Sequence, residues 1–156
     1  MKVIIAGAGK SGFAVAQTLA QEGHDITVID KSSDVINQVS NGLDVICVEG
    51  NATNPESLIG AGAADAGLLV AATRSDEVNM ICGIAARKLG TEHVIARIRD
   101  PEYMSQTGFL RETLGLSMIV NPEYECAKEI SRILRFPSAA RVDVFSNSST
   151  TFLPSK

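Results

Sequence analysis

The chain has 156 residues, enough for one domain of ordinary size and a sizeable core, since a chain of this length buries roughly 70% of its unfolded surface. With 45% hydrophobic and 21% charged residues it is neither a disordered nor a collagen-like sequence, and zero Trp with 4% aromatics predicts a core packed from aliphatic side chains. Lys plus Arg number 14 against 18 Asp plus Glu, a net charge of −4 with no clustered basic face, which excludes nucleic acid as the main partner.

In chain order, an apolar run at residues 2–6 predicts a first strand, and residues 12–22 predict a helix with Phe13, Ala16, Leu19 and Ala20 on one face. Further Val- and Ile-rich runs at 26–30, 44–48, 67–72, 94–98 and 117–120 predict five more strands. A helix over 76–90 is expected between the fourth and fifth, with Met80, Ile84 and Ala85 facing the core. Three helix starts share one device, a capping Asn or Asp, then Pro, then Glu in the positive first turn: Asn54-Pro55-Glu56, Asp100-Pro101-Glu102 and Asn121-Pro122-Glu123. The strands read as nearly continuous hydrophobic runs, as strands do when both faces of a parallel sheet are covered. Right-handed βα crossovers then give a Rossmann-like doubly wound sheet of six mainly parallel strands with helices on both faces.

After Arg135 the pattern changes. Residues 141–145 alternate as one strand would, and Ser146-Asn147-Ser148-Ser149-Thr150-Thr151 is linker-like. Residues 1–135 are therefore expected to form the domain, and 136–156 a linker and the truncated start of a further module. Cys47, Cys82 and Cys126 are odd in number and widely spaced among apolar neighbours, which points to a reducing cytoplasm and away from a disulfide framework or zinc site. No run reaches the roughly 18 apolar residues that cross a bilayer, so direct membrane insertion is not expected.

The strongest functional signal is Gly7-Ala8-Gly9-Lys10-Ser11-Gly12, a G-x-G-x-x-G turn that follows a predicted strand and opens a helix. Asp30 lies at the end of the next strand, 18 residues past Gly12. Gly7 permits the tight turn, Gly9 lets backbone N–H groups approach a pyrophosphate, and Gly12 lets helix and strand pack closely. Asp30 is expected to accept hydrogen bonds from ribose hydroxyls and to repel a 2′-phosphate, favouring NAD or an adenine mononucleotide over NADP; Lys31 beside it moderates that preference. Ile4 stands where a Walker loop needs its first Gly, so a P-loop is rejected. Lys10 could reach phosphate oxygens from the loop.

His24 and His93 fall at the amino ends of strands, remote from a cleft at the carboxyl ends, and no metal cluster or nucleophile elbow is visible in the sequence. What gathers at the carboxyl ends is polar: Gly50-Asn51-Ala52-Thr53 after the third strand, Ala72-Thr73 after the fourth with Asp76, Glu77 and Asn79 opening the next helix, and Arg97 closing the fifth. Asp76 and Glu77 are expected mainly to complement the helix dipole, and Arg97 to face a phosphate.

Taken together these motifs resemble the N-terminal nucleotide-binding RCK domain, also called KTN or TrkA-N, of TrkA-type regulatory proteins of bacterial potassium uptake, over about residues 1–135. The resemblance implies a non-catalytic cytoplasmic subunit that binds NAD(H) or ATP/ADP, dimerises and builds larger rings, and gates a membrane-embedded potassium transporter or channel. It implies further that Gly7, Gly9 and Gly12 hold the phosphates, Asp30 the ribose, Asn51, Ala52 and Thr53 the adenine end, and Arg97 a phosphate. Relatives commonly carry Arg at Lys10 and Asp at Asn51; Asn keeps a carbonyl acceptor for an adenine amino group but removes a charge. Two other classes fit the glycine turn: the cofactor domain of an NAD-dependent oxidoreductase, whose catalytic group would lie in further sequence, and an S-adenosylmethionine-dependent methyltransferase.

Overall fold

The computed structural model describes residues 1–136. The six strands are β1 (Lys2–Ala6), β2 (Asp25–Asp30), β3 (Ile46–Glu49), β4 (Leu68–Ala71), β5 (His93–Arg97) and β6 (Met118–Val120). They form one sheet in the order β3-β2-β1-β4-β5-β6, every pair parallel. The helices are α1 (Lys10–Gln21), α2 (Ser33–Gly42), α3 (Pro55–Gly60), α4 (Asp76–Leu89), α5 (Pro101–Met104), α6 (Thr107–Leu114) and α7 (Pro122–Arg135). The chain divides into two compact units, Met1–Val120 and a second that begins at Asn121. The expected strand at 141–145 lies outside the described residues.

The central strands are buried on both faces, and the alternation along β1 shows how. Val3 and Ile5 join Ile26, Val28, Val70 and Ala72 in a core under α1 and α2, which contribute Ala16 and Val39. Ile4 and Ala6 join Ile29, Leu69, Ala71, Val94 and Ala96 in the opposite core, closed by Leu58, Cys82, Ala86 and Leu116. The largest fully buried side chains, among them Ile4, Ile5, Ile29, Leu58, Leu69 and Ile98, are aliphatic, as the aromatic-poor composition predicts. Each fully buried aliphatic chain of this kind contributes about 1.5 to 3 kcal/mol.

All three Pro-containing helix starts behave as expected: Asn54 accepts from Glu56 N, Asp100 from Glu102 N and Asn121 from Tyr124 N. Ser32 and Ser75 cap α2 and α4 in the same way. Helix α1 begins at Lys10, two residues before the expected start, and β5 at His93, one residue before; two further differences bear on packing. Strand β3 runs over 46–49 and not 44–48, because it is an edge strand whose start is set by pairing to β2 (Thr27 opposite Ile46) and not by its own apolar run. On α4 the buried stripe is Asn79, Cys82, Gly83 and Ala86; Met80 and Ala85 pack at its margin, and Ile84 is exposed. The stripe contains an amide and a glycine, which a search for apolar periodicity passes over.

Helix α7 is amphipathic and carries its own surface pairs, Glu125 with Lys128 at 3.4 Å and Glu129 with Arg132 at 2.9 Å. No described helix is long and apolar enough to cross a membrane.

Candidate functional site

The carboxyl ends of β1 and β4 lie side by side at the centre of the sheet, where the strand order reverses and open α/β sheets form their ligand crevice. The β1 ladder extends one step into the loop on either side, Gly7 N–H donating to Ile29 O and Ala72 N–H to Ala6 O, each at 2.8 Å. Gly7 has φ +92°, and a Cβ there would lie 2.8 Å from Thr73 N. A Cβ on Gly12 would lie 1.8 Å from the Gly7 carbonyl oxygen. Both glycines are therefore demanded by the fold itself.

Gly9 differs. Its φ of −64° is open to any residue, and nothing lies within 4 Å of where its Cβ would be. It is the N-cap of α1, and no side chain caps that helix. The first turn thus presents N–H donors and roughly half a positive charge at an open face, an arrangement suited to an anion. Lys10 is exposed at the first position of α1, with Ser11 half-buried after it.

Asp30 closes β2 with both carboxylate oxygens already engaged. Oδ2 accepts the Ala8 N–H and Oδ1 the Ser32 N–H, each at 2.9 Å. The residue expected to hold a ribose therefore also braces the glycine turn, a role the sequence did not reveal. A carboxylate has about four acceptor sites, so ribose hydroxyls can still bond to it. Lys31 is exposed beside it.

After β3, Gly50 N–H donates to Asp30 O at 3.0 Å, setting the next segment beside β2. Asn51 Oδ1 accepts both the Thr53 N–H at 3.0 Å and the Thr53 hydroxyl at 2.8 Å. The carbonyl expected to read an adenine amino group is thus occupied within the chain. Ala52 is buried, and Asn51 is exposed.

On the other side of the crevice, Asn79 is fully buried and makes four hydrogen bonds. Its oxygen accepts from Thr73 N at 2.9 Å and Thr73 Oγ1 at 2.7 Å, and its amide donates to Thr73 O at 3.2 Å and Arg97 O at 2.7 Å. It does not face a ligand but ties the end of β4 to the end of β5. Thr73 is the residue against which Gly7 packs, so Asn79 fixes the far wall of the glycine turn. Ala72 is buried beneath this wall, and Arg97 is half-buried at the end of β5.

Asp76 is likewise more than a dipole partner. Its carboxylate accepts the backbone N–H of Arg99 at 3.0 Å and of Asp100 at 2.8 Å, holding the loop after β5. Glu77 accepts from the Tyr103 hydroxyl at 3.1 Å. Its own backbone N–H, Tyr103 and Ser75 hold its carboxyl below the usual range, and the same bond raises the Tyr103 hydroxyl. The exposed residues Arg74 and Arg99 meet here, the Arg99 guanidinium donating to Arg74 O at 2.7 Å. The sequence signal that could have singled them out is their position, just past the carboxyl ends of β4 and β5. The structure thus brings the Gly7–Gly12 turn, Asp30 and Asn51 to one side of the crevice, and Ala72, Thr73 and Arg97 to the other. His24 and His93 lie at the opposite edge, before β2 and at the start of β5. No group of three or more His, Cys, Asp or Glu among the described residues could hold a metal ion.

The fold is shared with known proteins. The chain is 38% identical over 146 residues to a Trk system potassium uptake protein TrkA homolog of Archaeoglobus fulgidus, an alignment covering 94% of this chain and 33% of that protein. It thus spans about a third of the length of that curated relative. Among solved structures, the TrkA-N domain of inner membrane protein ybaL from Escherichia coli superposes with a TM-score of 0.75 at 22% identity, covering 85% of this chain and 96% of that one. The GsuK channel bound to NAD superposes with a TM-score of 0.65 at 22% identity, over 76% of this chain and 21% of that one. GsuK bound to ADP does so with a TM-score of 0.65 at 21% identity, over 91% and 34%. The TrkA-N domain family profile matches residues 3–122, and the chain belongs to that family.

Proposed function

We propose that this chain is a non-catalytic nucleotide-binding regulatory module that senses NAD(H) or ATP/ADP and, through a dimer or larger ring, gates a potassium transporter or channel subunit in the membrane, working from the cytoplasmic side. The observation that carries the reading is the start of α1, where Gly9 leaves open space above uncapped N–H groups and Asp30 stands beside the turn. A diphosphate fits the first and a ribose the second. In this reading Lys10 and Arg97 neutralise phosphate charge, Ala52 and Thr53 line the base end, and Lys31 stays at the rim. The relative named for Trk potassium uptake and the GsuK structures bound to NAD and ADP support the ligand class and the ion.

A nucleotide can move a gate only by the difference in its affinity for two arrangements of the assembly, so two nucleotides sharing this cleft must contact its closing groups differently. Calorimetric titration with NADH, NAD, ATP, ADP, NADP and S-adenosylmethionine tests the first half. Binding of NADH or an adenine nucleotide with NADP weak is expected, and failure of all of them refutes the reading. Solution scattering with each bound nucleotide tests the second half; geometry unchanged between them refutes gating by exchange.

A further inference from the structure

We propose that Asn51 sets the base preference of the cleft by presenting an amide donor where a carboxylate would present an acceptor, so that a purine bearing oxygen at position 6 is admitted alongside one bearing an amino group. The inference rests on the nucleotide-binding reading above and deepens it. With phosphates at the start of α1 and a ribose at Asp30, the base extends past β2 over the carboxyl end of β3. Asn51 lies there, in the segment that Gly50 N–H anchors to Asp30 O at 3.0 Å.

The side-chain orientation follows from its partners. A backbone N–H can only donate, so the atom of Asn51 that meets Thr53 N at 3.0 Å is its oxygen, and the Thr53 hydroxyl adds a second bond to that oxygen at 2.8 Å. Turning the amide over would set its NH2 group against the Thr53 N–H. The NH2 is therefore the group left for a ligand, on an exposed residue. It donates to an oxygen at position 6 and gains nothing from an amino group there, which is itself a donor. An aspartate in the same position keeps both Thr53 bonds and turns its second oxygen outward, accepting from the amino group and repelling the oxygen.

Calorimetry with ADP against IDP, and NADH against its hypoxanthine analogue, on the chain and on Asn51→Asp tests this. The unaltered chain is expected to bind the 6-oxo member of each pair at least as tightly as the amino member, and Asn51→Asp to favour the amino purine by about tenfold or more, the scale of one well-placed base contact. Asn51→Ala, which removes the donor without adding charge, is expected to weaken IDP more than ADP. The same ratio in all three proteins overturns the assignment of Asn51 while leaving the nucleotide reading standing; no binding of any of the four ligands to the unaltered chain overturns both.

Discussion

Replacing Asn79 by alanine removes a buried side chain that joins the ends of β4 and β5. Thr73 N, Thr73 O and Arg97 O then lose partners that sit 2.9, 3.2 and 2.7 Å away at a fully buried position. Each buried polar group left without a partner costs about 1 to 3 kcal/mol, and water entering the space of the missing amide recovers part of it, so a loss of about 3 to 5 kcal/mol is expected. That is a large share of the roughly 5 to 15 kcal/mol that holds a domain together. Urea unfolding followed by far-UV circular dichroism measures it, with the slope against urea unchanged if the native state stays compact. Asn79→Asp sharpens the test. It keeps the oxygen facing Thr73 N but sets a carboxylate oxygen against two carbonyl oxygens, so it should be destabilised at neutral pH and partly recover in acid, where a protonated carboxyl donates to one of them. A loss below about 1 kcal/mol for Asn79→Ala, or no acid recovery for Asn79→Asp, refutes the role given to this residue.

Gly9→Ala and Gly12→Ala should separate binding from folding: the first meets nothing within 4 Å and leaves the free energy of unfolding within about 1 kcal/mol of the parent while weakening nucleotide binding, as titration would read. Gly12→Ala sets a Cβ 1.8 Å from a backbone oxygen and should cost about 3 kcal/mol or more in the same unfolding assay. Burial pushes the Cys82 thiol up to about 12, so Cys82 should resist a thiol reagent in the folded protein at pH 8 while exposed Cys126 reacts, and thiol counting by mass reads the difference. Because that raised value means the folded state holds its proton more tightly, the contribution of Cys82 is intact below the unfolded thiol's value and is lost as pH rises beyond it. A Cys82→Ser or Cys82→Ala chain should therefore show a flatter decline of stability with pH in the alkaline range. Asn54→Ala should lower stability by about 1 kcal/mol through loss of the cap on α3, measured by thermal unfolding.

The architecture was legible because its signals are local. Continuous Val and Ile runs marked buried parallel strands, and the three Asn or Asp, Pro, Glu starts marked helices whose caps the structure shows bond for bond. The glycine turn was legible for the same reason, with Gly7 and Gly12 each required by a close backbone approach. What the sequence could not show were partnerships set by strand order. Asn79 and Thr73 are six residues apart, but Arg97 enters only because β5 lies beside β4. Asp76 appeared as a dipole partner because its true partners, the amides of Arg99 and Asp100, come from a different βα unit. Asn51 was expected to offer its carbonyl, since its commitment to Thr53 depends on a loop conformation that composition does not reveal.

The two bonds that Asp30 makes within the chain bear on how the cleft would be tuned. By holding the Ala8 and Ser32 amides, the carboxylate keeps the turn after β1 and the turn after β2 in register. On the proposed nucleotide-binding reading, less ordering entropy is then lost on binding, and the groups that would hold ribose and phosphates act as a single mechanical part. Substituting Asp30 would thus weaken even a ligand that has no sugar, such as inorganic pyrophosphate. On the same reading, changes in affinity that spare the phosphate contacts are more accessible to substitution beyond Gly50 than at the carboxylate itself.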